Sequence, residues 1–203
     1  MKAQFKEFAS QIPDVRKDEV ELYERYLEVL REWNEKMNLV SKNSLEKAFA
    51  SHFVDSIAIA EFGKTFAEGR EVSDLGSGAG FPGLIYAIRY PNEPITLYEK
   101  IQKKQAFLAA VVERLDLKNV RLQGPFPDRK VEGLFLARAV MKRAELFTFF
   151  SERLTLGSRL ITNLGGQTEA TPAPRQFSLL QHSRYTLPLD CGDRQIEAYE
   201  FVR

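Results

Sequence analysis

The chain of 203 residues has one cysteine, Cys191, and two histidines, His52 and His182. A single cysteine excludes an intramolecular disulfide and a cysteine-held zinc cluster. Two histidines far apart in sequence argue against a structural metal site, so none is expected. No apolar run approaches the ~18 residues of a membrane span. The opening Met1-Lys2-Ala3-Gln4-Phe5-Lys6-Glu7 mixes charges and lacks the apolar core of a secretion signal. These absences point to the reducing cytoplasm and to no membrane partner. Charge of one sign is also missing: 29 Lys and Arg stand against 28 Asp and Glu, a net charge of +1. Near-neutrality neither announces nor excludes nucleic acid, because phosphate binding needs local basic surface rather than a basic average. Internal repeats and low-complexity segments are absent too.

What is present is an ordinary globular composition, 44% hydrophobic and 28% charged. The length suits one domain with a small appendage. Phe5, Phe8, Ala9 and Ile12 predict a short amphipathic helix over 3–12, stopped by Pro13-Asp14. Residues 17–37 predict a long helix with a wide apolar face, from Leu22, Tyr26, Val29 and Trp33 beside Tyr23, Leu27, Leu30 and Met37. A further helix is expected over 45–62, capped by Ser44. It carries His52 and Asp55 on one face, as either a packing pair or the lining of a cleft. Residues 1–62 thus read as a helical cap and 63–203 as a second, larger region, the two forming one compact unit.

Beyond residue 70, strands and helices alternate, which argues for a parallel sheet with crossover helices. Strands are expected at 71–75, 95–99, 120–122, 134–137 and 158–162, with helices over 81–90, 101–115 and 141–154. Residues 165–175 read as a loop. Segments 177–187 and 195–202 read as an antiparallel pair.

The most informative stretch is Val72-Ser73-Asp74-Leu75-Gly76-Ser77-Gly78-Ala79-Gly80-Phe81-Pro82-Gly83. A buried strand ends in an acid and turns through glycines into a helix. Glycine permits positive φ and close approach of a ligand to the backbone, and the fresh helix N-terminus leaves N–H groups for an acceptor. Gly78-Ala79-Gly80-Phe81-Pro82-Gly83 also satisfies the dinucleotide pattern, and Glu99 follows at the distance of a ribose-binding acid. A NAD(P)-dependent oxidoreductase is therefore one reading. S-adenosylmethionine is the favoured one. Asp74 suits a cationic group, whereas a carboxylate beside a pyrophosphate is repulsive. Glu99 can accept both ribose hydroxyls of either cofactor.

These residues carry a family resemblance. The chain resembles the bacterial small-subunit (16S) ribosomal RNA guanine-N7 methyltransferases, the glucose-inhibited division protein B family, over roughly residues 20–170. The carriers are Trp33-Asn34 with Met37-Asn38-Leu39, His52 with Asp55-Ser56, and the run from Asp74 to Gly83. Lys103-Lys104 with Phe107-Leu108, Asn119-Val120 and Arg138-Ala139 complete it. The resemblance implies an α/β class I methyltransferase fold, Rossmann-like, with a mostly parallel seven-stranded sheet, an antiparallel C-terminal strand and an N-terminal helical extension. It implies that Asp74, Gly76, Ser77, Gly78, Gly80 and Phe81 hold S-adenosylmethionine and Glu99 its ribose. Arg138 would sit beside cofactor and target base, with His52, Asp55 and Asn38 on the substrate side. The implied partner is small-subunit ribosomal RNA or the 30S particle, and the implied state a monomer.

The chain departs from the family at Ser51, at Gly124-Pro125-Phe126-Pro127-Asp128 and at Leu164-Gly165-Gly166-Gln167, where basic residues are usual. Asp128 is the expected substitute contact to the adenine. Those losses of charge keep open a non-catalytic RNA- or ribosome-binding relative. Candidate RNA contacts are Lys100, Lys103, Lys104, Arg129, Lys130, Lys142 and Arg143, each cluster otherwise a solvated face. The chemistry implied is simple. Guanine N7 carries an unprotonated lone pair, so direct attack on a sulfonium methyl needs no general base.

Overall fold

The computed structural model describes residues 12, 14–164 and 172–203. The expected 3–12 helix and Gly165-Gly166-Gln167 lie outside the described residues, apart from Ile12. Helix α1 spans Lys17–Asn34. Its Glu19 carboxylate reaches back to the Arg16 amide at 3.4 Å. Arg16 in turn donates to the carbonyls of Ile88 and Arg89, at 2.9 and 2.8 Å. The buried face of α1 is Tyr23, Tyr26, Leu27, Val29 and Leu30.

The single helix expected over 45–62 is instead three pieces. Helix α2 is Lys42–Glu46, then comes a π-helical segment, Phe49–Val54, and then α3, Asp55–Lys64. The cap is Ser41 rather than Ser44: its hydroxyl accepts from the Ser44 amide at 3.1 Å, and the Ser44 hydroxyl turns back to the Ser41 carbonyl. Helix α3 runs through residue 62, the expected limit of the cap.

The sheet then follows. Its elements in chain order are β1 (Val72–Leu75), α4 (Gly83–Arg89), β2 (Ile95–Tyr98), α5 (Gln102–Leu115) and β3 (Val120–Gln123). After them come β4 (Leu134–Arg138), α6 (Arg143–Arg153), β5 (Arg159–Leu164), β6 (Phe177–Leu187) and β7 (Gly192–Phe201). The strand order is β3-β2-β1-β4-β5-β7-β6. Strands β1 to β5 are mutually parallel, and β7 pairs antiparallel with both β5 and β6. The order reverses beside β1, where open α/β sheets bind ligands at the strands' carboxyl ends.

The period of two sorts each strand's side chains between two cores. Val72, Leu134, Leu136, Ile161, Ile196 and Ala198 join the α1, α3, α4 and α5 residues in the larger core. Leu75, Phe135, Ala137, Leu160, Tyr199 and Phe201 join α6 residues Leu146, Phe147 and Phe150 in the smaller one. The cap shares the larger core, with Tyr26, Leu30 and Phe53 among its buried members. The same alternation aims Asp74 and Arg138 toward the cap. It aims Glu197 toward α6, where it pairs with the buried Arg143.

Candidate active site

The glycine turn leaves β1 with Gly76, Gly78 and Gly80 all at positive φ, 65°, 56° and 86°. They do different work. A Cβ on Gly80 would stand 2.3 Å from Leu84 Cδ1 and 2.4 Å from the Tyr26 hydroxyl, so Gly80 is packed under the cap. A Cβ on Gly78 would meet only the Gly76 carbonyl, at 3.6 Å, so its outer face is open to a ligand. Ser77 braces the turn: its amide donates to the Tyr98 carbonyl at 3.0 Å and its hydroxyl to the Asp74 carbonyl at 3.2 Å.

Two carboxylates hold this turn. Glu99 accepts from Gly78 N at 2.9 Å with one oxygen and from Ile101 N at 2.8 Å with the other. Each oxygen keeps a lone pair for a hydroxyl. Asp74 is buried. Its Oδ2 accepts from Gly83 N at 3.2 Å, and its Oδ1 is buried with no hydrogen-bond partner among the described residues. Burial pushes the Asp74 carboxyl up to about 7, against the Ser77 hydroxyl, the Gly83 amide and the Arg138 charge. A buried acceptor without a donor is costly, although Asp74 itself does not line the neighbouring cavity.

Beside the turn lies a cavity of about 500 Å³. Gly76 and Glu99 line it together with Ile101, Phe126, Met141 and Phe149 as apolar walls and Lys100, Lys104 and Glu145 as charged ones. Carboxylate, open glycine backbone and flat apolar walls fit a nucleoside with a cationic tail.

On the cap side stands a polar cluster at the carboxyl end of β4. Arg138 Nε donates to Asp55 Oδ2 at 2.7 Å, and its Nη2 reaches the Ser51 carbonyl at 2.8 Å and His52 Nδ1 at 3.1 Å. Asp55 Oδ1 accepts from the Tyr185 hydroxyl at 2.5 Å and from Asn163 Nδ2 at 2.9 Å. The Arg194 guanidinium lies 3.7 Å away. Burial, then the Arg138 charge, push His52 down to about 4. Burial and Asp55 raise the Tyr185 hydroxyl, which therefore stays a donor. The cluster touches the glycine turn through Phe81, whose ring stacks on His52 at 5.1 Å and on Tyr26 at 5.2 Å.

A family model described as rRNA small subunit methyltransferase G matches residues 19–187. The chain belongs to this family. It is 33% identical over 160 residues to a ribosomal RNA small subunit methyltransferase G of Acetivibrio thermocellus, covering 75% of this chain and 65% of that protein. It is 30% identical over 191 residues to the protein of that name from Bacteroides fragilis, covering 90% of each. Among solved structures, a mutant of MtNAS in complex with S-adenosylmethionine superposes with a TM-score of 0.59, at 14% identity, over 97% of this chain and 84% of that one. The putative methyltransferase yhhF of Escherichia coli gives 0.55, also at 14% identity, over 71% of this chain and 86% of that one. These two likenesses are of fold, the class I methyltransferase fold.

Within this member of the methyltransferase G family, the expected site residues separate into groups. Gly76 and Glu99 line the cavity, and Gly78 is tied to Glu99. Arg138, His52 and Asp55 come together, joined by Asn163, Tyr185 and Arg194, which the sequence did not single out. Phe81 and Gly80 are packed against the cap rather than along the cavity. Asn38 is exposed in the turn after α1 and takes no part in the cluster's hydrogen bonds. It is Asn34 that orders this turn, its Oδ1 accepting from the amides of Leu39 and Val40 at 2.9 and 3.0 Å. Asp128 does not reach the cavity: its side chain is 94% exposed and pairs with Arg153 at 3.0 Å. Phe126, two residues earlier, fills the wall instead, packed against Tyr98, Phe135, Phe149 and Phe150. Arg143 is no surface contact, because it is buried against Glu197 and Tyr199. No helix among the described residues is long and apolar enough to cross a membrane.

Proposed function

We propose that this chain transfers a methyl group from S-adenosylmethionine to N7 of a guanosine in small-subunit ribosomal RNA. The observation that carries the reading is a juxtaposition. At the carboxyl end of β4, Arg138 of the Asp55–His52 cluster is followed directly by Ala139 and Val140, which line the nucleoside-sized cavity that has Glu99 in its wall. Family membership supplies the RNA. S-adenosylmethionine supplies an electrophilic methyl on a sulfonium. Asp74 is the carboxylate suited to its amino group, Glu99 to its ribose, and Phe126 with Met141 to its adenine. Guanine N7 is an acceptor with its lone pair exposed, so the protein's task is alignment rather than proton removal. The cluster agrees with that. Asp55 is committed to Arg138, Asn163 and Tyr185, and His52 to Arg138. Lys100, Lys103 and Lys142 are exposed toward solvent and suit phosphate contacts.

The test is a map of N7-methylguanosine in ribosomal RNA from cells with and without the protein, alongside titration of the purified protein with S-adenosylmethionine and with NAD. A methylguanosine of small-subunit RNA that depends on the protein is expected. An unchanged map with intact S-adenosylmethionine binding points to a non-catalytic RNA- or ribosome-binding relative. Binding of NAD alone points to an oxidoreductase.

A further inference from the structure

His52 has one nitrogen spoken for and one left over. Its Nδ1 lies 3.1 Å from Arg138 Nη2. A guanidinium has donors only, so against Arg138 we assign Nδ1 as the acceptor and the ring proton to Nε2. The donor is itself fixed, because Arg138 is held by Asp55 Oδ2 at 2.7 Å and the Ser51 carbonyl at 2.8 Å. The ring plane is fixed as well, stacked on Phe81 with an interplanar angle of 23°. Phe81 in turn is held between Tyr26 and Phe53. The remaining group, Nε2–H, is buried and has no partner among the described residues. A donor in a rigid ring, held by an arginine that directly precedes the cavity-lining Ala139, lacks an acceptor that the substrate could bring.

Guanine offers two acceptors on its major-groove edge, O6 and N7, whereas adenine offers N7 beside the donor N6–H₂. An arginine fork takes O6 and N7 together. In an N7 methyltransferase that contact would claim the reacting lone pair. A single N–H on O6 leaves N7 free and meets adenine donor to donor. We propose that His52 reads the target base by donating Nε2–H to guanine O6, with Arg138 as the residue that fixes the tautomer. This deepens the methyl-transfer reading above and rests on it.

The experiment uses small-subunit particles assembled on RNA that carries, at the methylated position, either guanosine or 2-aminopurine, which keeps N7 and lacks O6. The wild-type protein is expected to methylate the guanosine RNA about ten-fold faster or more, the cost of an unmade buried hydrogen bond. His52→Phe keeps a ring to stack on Phe81. It is expected to lose that factor on guanosine and nothing further on 2-aminopurine, with S-adenosylmethionine affinity retained. His52→Gln, which restores an N–H donor, should recover part of the discrimination, as a merely structural role would not. Equal wild-type rates on the two RNAs overturn the assignment, as does a His52→Phe protein that still discriminates. No methylation of the guanosine RNA would instead overturn the parent reading. If His52→Phe does not fold, ¹⁵N spectra of the wild type decide, since the chain has only two histidines. Nε2-protonated His52 at pH 7 is expected, and the Nδ1-protonated form overturns the assignment.

Discussion

The amide of Gly83 donates to Asp74 Oδ2 across 3.2 Å, while Oδ1 of the same carboxylate is buried and unpartnered. Asp74 thus ties the first residue of α4 to β1 with one oxygen and leaves the other without a partner among the described residues. Its carboxyl sits at about 7 because burial disfavours the charge. The folded value lies above that of an unfolded aspartate, so the ligand-free protein loses stability as pH rises from about 4 to about 7. Asp74→Asn keeps an acceptor for Gly83 N and removes the buried charge. It should melt well above the parent at pH 8, less so at pH 5, and level with it only near pH 4. Calorimetry should show S-adenosylmethionine binding about ten-fold weaker or worse, since the partner for a cation is gone. A melting difference that is the same at both pH values would count against charge burial as its cause.

His52 works in the opposite direction. Its ring is pushed down to about 4, first by burial and then by Arg138. Stability from its neutral form is therefore full above about 6.5 and is lost as pH falls from there toward 4, by about 3 kcal/mol in all. The windows of Asp74 and His52 overlap with opposite slopes, so the ligand-free parent should show a flattened pH profile. Melts from pH 4.5 to 8 separate them. His52→Phe should fall more steeply with rising pH, and Asp74→Asn more steeply on acidification.

Two neighbouring basic residues should behave differently. Arg143 is buried and donates to Glu197 and, at 2.6 Å, to the Tyr199 hydroxyl. Arg143→Ala strands a buried carboxylate and should cost about 3–5 kcal/mol, lowering Tm by about 10 °C. Lys142 is exposed. Lys142→Ala should shift stability by less than about 0.5 kcal/mol. Its effect should appear instead in RNA binding, as a salt dependence shallower by about one counterion. A stable Arg143→Ala protein with weakened RNA binding would reverse the two roles.

The strand–helix alternation was legible because parallel strands are buried on both sides and punctuated by turns. The register of β4 even foretells that Arg138 faces the cap. The glycine turn was legible because positive φ restricts the residues that fit there. The 45–62 segment misled, since the four-residue spacing of Leu45, Phe49, Phe53 and Ile57 lies between the α- and π-helical repeats and does not tell them apart. Asp128 misled for another reason. Replacing a lost polar contact by the nearest polar residue ignores packing, and it is Phe126 that the surrounding aromatic rings draw inward. Tyr185, Asn163 and Arg194 were invisible because they lie 130, 108 and 139 positions from Asp55, on strands whose pairing alone brings them to it. The only available signal was the two-residue period of β5, β6 and β7, which sorts faces but does not name partners.

That long-range junction gives the last prediction. Asp55 receives the Tyr185 hydroxyl and Asn163 Nδ2 on Oδ1, and Arg138 Nε on Oδ2. Arg138 is only 16% exposed, so without Asp55 its charge is buried and half-paired. Asp55→Ala should cost about 3–5 kcal/mol, while Tyr185→Phe removes one donor of several and should cost about 1–2 kcal/mol. Neither residue lines the cavity beside Glu99, so S-adenosylmethionine affinity should persist in both proteins under conditions where they remain folded. Turnover should fall in both, and further in Asp55→Ala, because Arg138 then no longer holds His52 in place. Melting curves, cofactor calorimetry and methylation rates on small-subunit particles give the three readouts. Loss of cofactor affinity in parallel with turnover would place Asp55 in the cofactor site and remove the division between the cavity and the cluster under the cap.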